Sequence, residues 1–389
     1  MSVAMGNVRV MNEARRRRQA KQARREARRA TRRRQTPGEL PLVRAVRTAL
    51  ETGDPLEMLY LVSVLIETAT PDRFAALETR PGDQMRLDAL VTEFIAVPTP
   101  ETTALLAVLA ELLADDDGLR RRCSEEVATR RDPLPAWITG LPHLEVRRAV
   151  RLADVLGDSD DLLIGVRLVD GYELTCVVRL DHMILDDVQD VLLVRDPIES
   201  VLTASNPDPD ISPTEMILAD ARAWIVGALG QTVFSIPAKP LLRWLIGHLP
   251  EGGRCYERPC DDWWTTSRLL DAFFASPQGR PFNRFGHDEL MGELLETGSG
   301  DPLRWSAARI ERALGGLSYL DDHMSVDCLL EVPDLLRAFI PVAHALSGIR
   351  QQLTARALET IDRTEPAFRQ RILADAKRWD DEEDEIWAV

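Results

Sequence analysis

Lysine is nearly missing from this chain: it stands only at Lys21, Lys239 and Lys377, against 45 arginines. The bias has the look of a GC-rich coding genome, so the abundance of arginine is weak ground for inferring selected bidentate chemistry. Cysteine is sparse and odd in number, with five residues at 123, 176, 255, 260 and 328. That argues against a disulfide scaffold and for a reducing cytosol. Aromatic residues make up only 5% of the chain, although eight of them are Trp. Long apolar runs are missing as well. The longest helical one, Thr103 to Ala114, is too short to span a bilayer and contains Glu111. The N-terminus has no apolar core of a signal peptide. The expectation is a cytoplasmic protein without a transmembrane segment.

The familiar enzyme signatures are also missing. There is no Gly-x-Gly-x-x-Gly, no P-loop Gly-Lys-Ser/Thr and no Gly-x-Ser-x-Gly. His287-Asp288-Glu289 lacks the spacing of a His-Glu-x-x-His helix. Association is therefore expected in preference to catalysis.

What is present is charge, unevenly placed. The net charge of the 389 residues is -15. Residues 1–36 hold 13 Lys and Arg against two acids, a local net of +11. The other 353 residues hold 35 bases against 61 acids, a net of −26. The chain is a basic arm on an acidic body, an asymmetry typical of an interaction tail. Within the arm, residues 9–34 are rich in helix formers and free of Gly and Pro. Ala20, Ala23, Ala27 and Ala30 make a narrow small-residue seam. So much like charge keeps such a helix frayed or disordered in isolation. The arm contains no aromatic residue, so it cannot stack bases. Arg15, Arg16, Arg17, Arg18, Lys21, Arg24, Arg25, Arg28, Arg29, Arg32, Arg33 and Arg34 are the candidate contacts to nucleic acid or another polyanion, with little sequence preference. A self-paired tail, or an acidic protein surface as partner, remains the alternative.

From 37 to about 158 the periodicity is helical. Leu87, Leu90, Val91 and Phe94 keep the i, i+3, i+4, i+7 spacing, and Leu105, Val108, Leu109 and Leu112 follow the same rule after Pro100. Between 159 and 210 the period drops to two. Leu162–Val169 and Tyr172–Leu180 alternate around Asp170-Gly171, which predicts a hairpin closed by a type I′ turn. Tyr172, Leu174, Cys176, Val178 and Leu180 share one face, and Val188–Val194 supplies a third strand. Ser212-Pro213-Thr214-Glu215 reads as a capping box that starts a helix lasting to Gly230. Further helices are expected at 239–249, 261–275, 287–297, 305–314, 333–346, 352–363 and 366–378. Residues 380–389 form an acidic tail led by six consecutive acids. The fold class predicted is mainly α with a small antiparallel β-meander (α+β): a helical block over 37–158, a three-stranded insert with its linker over 159–210, and a helical block over 211–379.

Several stretches are familiar together. They are Leu162-Leu163-Ile164-Gly165-Val166-Arg167-Leu168 with its Asp170-Gly171 turn, Val178-x-x-Asp181-His182, Gly300-Asp301-Pro302-Leu303-Arg304-Trp305-Ser306, Pro333 to Phe339, and Leu353-Thr354-Ala355. In these the chain resembles a group of uncharacterised actinobacterial proteins that often carry a basic N-terminus. The likeness covers roughly residues 150–380. It implies a bacterial cytosolic protein and carries over no activity and no catalytic residues.

Two constellations in the body bear chemistry. Asp181, His182, Asp186 and Asp187 cluster around the end of the second strand and the start of the third. Carboxylates and an imidazole suit a divalent cation such as Mg²⁺ or Mn²⁺, and a metal-dependent enzyme or regulator would use them. Asp also favours turns, so a solvated turn is the other reading. Cys255 and Cys260, with His248 before them and His287 after, are thiols of the type zinc takes, but no second Cys pair accompanies them. No cofactor is expected; a divalent cation is the alternative. Three functions follow from these readings: an interaction protein with a polyanion-binding arm, a metal-dependent enzyme or regulator working near 181–190, or a protein–protein scaffold whose arm folds back.

Overall fold

A computed structural model describes residues 41–70, 86–205, 209–258, 263–315 and 324–387. The chain divides into two units, residues 1–54 and 55–389. The described part of the first is helix α1 (Pro41–Thr52), which buries Val46 and Ala49.

The second unit begins with a helical block: α2 (Pro55–Ala69), α3 (Leu87–Ala96), α4 (Pro100–Leu112), α5 (Asp117–Thr129) and the short α6 (Ala136–Gly140). Thr99 starts α4 through a reciprocal capping box with Thr102, with Pro100 in the first turn, where its missing N–H costs nothing. α4 is buried on nearly all sides, so it is the hub against which α2, α3, α5 and α6 pack. Arg130 fastens this block. Its guanidinium donates to the Phe94 and Ile95 carbonyls at 3.0 and 3.1 Å and to the hydroxyls of Thr102 and Thr103 at 2.9 and 3.2 Å.

The sheet follows: β1 (Glu145–Asp154), β2 (Ser159–Arg167), β3 (Glu173–Asp181) and β4 (Asp187–Val194), then α7 (Ile198–Ser205) and β5 (Ile211–Met216). All neighbours are antiparallel, in the order β4-β3-β2-β1-β5. Val150, Leu152 and Leu163 form a cluster with Ile198 of α7 on one face. Leu162, Ile164, Cys176, Val178 and Leu180 point to the other, which α8 (Leu218–Gln231) covers, since α8 packs on β1, β3 and β4.

The meander is therefore five-stranded, not three-stranded. β1 escapes the periodic pattern because three of its ten residues are Arg, which disguises a half-buried strand as a polar helix face. β5 corrects the reading of Ser212-Pro213-Thr214-Glu215 as a helix start. That segment pairs with β1, from Ala149↔Met216 to Asp154↔Ile211, and Glu215 meets Arg148. As an edge strand, β5 tolerates Pro213, which has no N–H to give. The helix begins later, at Leu218.

The β2–β3 hairpin forms where expected, with a different turn. The Leu168 N–H donates to Tyr172 O and the Gly171 N–H donates to Leu168 O, both at 2.9 Å. Gly171 has a φ of 84°, and Asp186 is the one non-glycine with positive φ among the described residues. Asp170 thus stays on the ordinary side of the map, and the loop is a three-residue turn completed by a left-handed glycine.

The helical C-terminal part comprises α9 (Lys239–Gly247), α10 (Trp263–Ala275), α11 (His287–Glu296), α12 (Ala307–Gly315), α13 (Val326–Leu330), α14 (Val332–Ser347) and α15 (Gln351–Trp387). α9 joins the N-terminal block against α2 and α4. The last five pack around Leu290, Leu294, Trp305, Leu335, Phe339 and Ile361. The two helices expected at 352–363 and 366–378 are one. Leu353, Ala357, Ile361, Phe368 and Ile372 stay in phase and buried across Pro366. That stripe outweighs the roughly 3 kcal/mol an internal proline costs a helix. Among the described residues, no helix is long and apolar enough to cross a membrane.

Candidate functional site

The sheet carries a chain of alternating charges at one end. It starts on β1, where Arg151 pairs with Asp160 of β2 at 2.9 Å. Asp160 and Arg151 lie on the face covered by α8, as Arg151 shows by sitting 5.1 Å over the Trp224 ring. An aspartate on an inward strand position requires a cation, because a lone buried carboxylate is too costly to keep ionised. Asp160 has a second one. His182, one residue beyond β3, places Nε2 3.0 Å from Asp160 Oδ2. Its Nδ1 lies 2.8 Å from Asp186 Oδ1.

The loop after β3 makes the second contact possible. Asp186 adopts φ 52°, a left-handed conformation that aspartate accepts more readily than most residues. This turns its carboxylate back over the loop toward His182. The other Asp186 oxygen pairs with Arg258. Arg258 also reaches the His182 carbonyl at 3.3 Å and the Gly298 carbonyl at 3.4 Å. Tyr256 stacks on the His182 ring, with centroids 4.3 Å apart and planes at 19°. Trp224 meets Tyr256 edge-on at 4.9 Å.

The order along the chain is therefore Arg151, Asp160, His182, Asp186, Arg258. The centre is sealed, with Asp160 1% and His182 2% exposed, while both arginines reach solvent. Both imidazole nitrogens face carboxylates, and only the doubly protonated ring can donate to both. Burial alone would lower the His182 pKa. The hydrogen bonds to Asp160 and Asp186, and then their charges, outweigh it and hold the value above the usual one. Burial pushes Asp160 and Asp186 the other way. Their bonds to His182, and to Arg151 and Arg258 respectively, win and keep both below the ordinary carboxylate value. Burial also raises the Tyr256 phenol, followed by the charges of Asp186 and Asp160.

The four loop residues expected to act together divide into two pairs. His182 and Asp186 sit inside the charge chain. Asp181 instead accepts from the Met183 N–H at 2.7 Å and from Gln189 Nε2 at 3.2 Å, a turn-forming role. Asp187 opposes Asp181 in the β3–β4 register, and burial, then Asp181, raises its pKa. Among the described residues, no group of three or more His, Cys, Asp or Glu is placed to hold a metal ion. Cys255 is an exposed free thiol, and Cys260 lies outside the described residues. The twelve arm bases, Arg15 to Arg34, lie outside them too.

Sequence reading missed Asp160, Arg151, Arg258, Tyr256 and Trp224. Asp160 carried a usable signal: two residues before Leu162 in an alternating strand, it shares the inward face.

Beside Arg258 opens a cleft of about 390 Å³, lined by Met183, Ile184, Glu293, Glu296 and Arg312 among others. It presents both signs of charge, and Ile184 in its lining is exposed. With a proton on each ring nitrogen donated to a carboxylate, His182 has no free lone pair to turn toward this cleft; the charge chain holds the loop and Arg258 in place beside it.

No protein-family model matches the chain, and no curated protein and no solved structure does either.

Proposed function

We propose that this protein works by association: its Arg-rich arm engages nucleic acid or another polyanion through backbone charge, and its helical body offers a surface to protein partners. The observation that carries the reading is the partition of charge, +11 over residues 1–36 against −26 over the rest. Basic side chains that neutralise phosphates release condensed counterions, and this drives binding without reading sequence. The acidic body repels phosphate and confines the contact to the arm. The reading is supported further by His182, whose ring nitrogens are both engaged and whose role is to hold charge instead of moving protons.

The test compares the full chain with a full-length variant in which Arg15, Arg16, Arg17, Arg18, Lys21, Arg24, Arg25, Arg28, Arg29, Arg32, Arg33 and Arg34 are changed to Gln. Binding to labelled duplex DNA and to structured RNA is followed by anisotropy at low salt. The original chain binds both and the variant neither. Equal binding by the two chains would sink the proposal.

A further inference from the structure

A second cluster shares no residue with the arm or with the His182 chain. Cys328 of α13 places Sγ 3.8 Å from His287 Nδ1, at the start of α11. His287 Nε2 lies 2.9 Å from Glu331 Oε2, just past the end of α13. Glu331 is also paired with Arg284. A carboxylate on Nε2 fixes the proton there, which leaves the Nδ1 lone pair facing the thiol. This is the relation of nucleophile, base and orienter that activates thiols and hydroxyls. Burial works against ionising Glu331, but its bonds to Arg284 and His287 outweigh burial and keep it ionised, so the orienter is in its working form.

The thiol itself is protonated at rest. Burial, then the Glu331 charge, raises the Cys328 pKa above the ordinary thiol value. Reaction thus needs the base at the moment of attack. Cys328 as a residue is 7% exposed, which suits only a small reagent. The other described cysteines lack this arrangement: Cys123 and Cys176 are buried with thiols pushed up to about 11 and about 12, and Cys255 is exposed.

We propose that Cys328, His287 and Glu331 form a base-assisted thiol site whose substrate is a small peroxide. The Sγ–H proton passes to His287 Nδ1 as the sulfur attacks one peroxide oxygen. An S–O bond forms and the O–O bond breaks. The departing hydroxide takes the proton from Nδ1 and leaves as water. Sulfur is oxidised by two electrons to the sulfenic acid, and the peroxide is reduced by the same two. The Arg284 guanidinium favours the anion of Cys328, against the Glu331 and Asp288 charges, and supports the developing thiolate.

The test treats the full chain with hydrogen peroxide and follows oxygen addition at each cysteine by peptide mass spectrometry. Cys328 is expected to oxidise faster than Cys123 and Cys176 by about tenfold or more, and H287Q to slow it by about tenfold or more while Cys255 is unchanged. E331Q slows it less, because the base remains but its tautomer is no longer fixed. Circular dichroism checks that the variants fold. If H287Q does not, E331Q decides: with the orienter gone, Cys328 is expected to oxidise several-fold more slowly than in the unaltered chain. An inert Cys328, a rate indifferent to His287, or, where H287Q does not fold, a rate indifferent to Glu331 overturns the proposal.

Discussion

His182 Nε2 sits 3.0 Å from Asp160 Oδ2, and the two side chains are 2% and 1% exposed. A buried pair of this kind adds little net stability over an apolar pair, but removing one partner leaves an uncompensated charge. Asp160 has two cationic neighbours to abandon, His182 and Arg151. D160N is expected to lower the free energy of unfolding by about 3–5 kcal/mol. Urea titration measures it, and a loss under about 1 kcal/mol contradicts the assignment of a charged centre.

The same pair fixes the pH dependence. The folded pKa of His182 is above 6.5, so its stabilisation is complete below that pH and disappears as pH rises through the raised value. Asp160 and Asp186 have folded values below 3.8, so theirs is complete above that pH and disappears as pH falls through the lowered values. The stability difference between the original chain and H182Q should therefore shrink toward alkaline pH. Urea midpoints for both chains across about pH 5 to 9 check this, and a difference independent of pH counts against it.

Asp158 has the opposite character. Burial raises its pKa to about 6, against a lowering hydrogen bond from Ser306. Between 3.8 and about 6 the folded chain holds the extra proton, so this residue costs stability as pH rises through that window. D158N should raise stability at pH 7 by about 1–2 kcal/mol, after discounting for partial exposure. Melting of the two chains at acid and neutral pH tests it; a variant less stable at pH 7 refutes the burial argument.

Gly298 adopts φ 63°, and a Cβ there would lie 2.8 Å from Arg309 Cγ. Arg309 is fully buried, bonds the Leu295 carbonyl at 2.6 Å and covers the Trp305 ring at 4.1 Å, so it has little room to yield. Gly171, at φ 84°, has open space around it. G171A should cost about 1–2 kcal/mol for the left-handed backbone alone, and G298A distinctly more. Equal losses in chemical denaturation would show that Arg309 moves aside.

Much of this fold is legible in the sequence where local pattern and tertiary demand agree. β2, β3 and β4 are legible as apolar runs of strand length bounded by turn residues, with α7 on one face of the sheet and α8 on the other, and α11 and α14 keep the helical period because both line one core. β1 and β5 are illegible for definite reasons. Arg148 of β1 is balanced by Glu199 and Glu215, 51 and 67 residues further on, and no local window displays that. β5 wears the residues of a helix cap, but pairing with β1 claims its backbone first. The site follows the same logic. His182 and Asp186 are four residues apart and visible together, whereas Arg258 joins them from 72 residues away. Likewise Cys328 and His287 are 41 residues apart, and only the tertiary core that α11 and α13 share brings sulfur to nitrogen.

The central claim, that polyanion binding resides in the arm, is tested most directly by the salt dependence of DNA affinity for the full chain. If about half of the arm's 13 bases contact phosphate, the logarithm of the binding constant falls with the logarithm of salt at a slope of about −6. Substituting the twelve candidate bases should bring that slope close to zero. A slope that stays steep without them would place the phosphate contacts elsewhere and contradict the account.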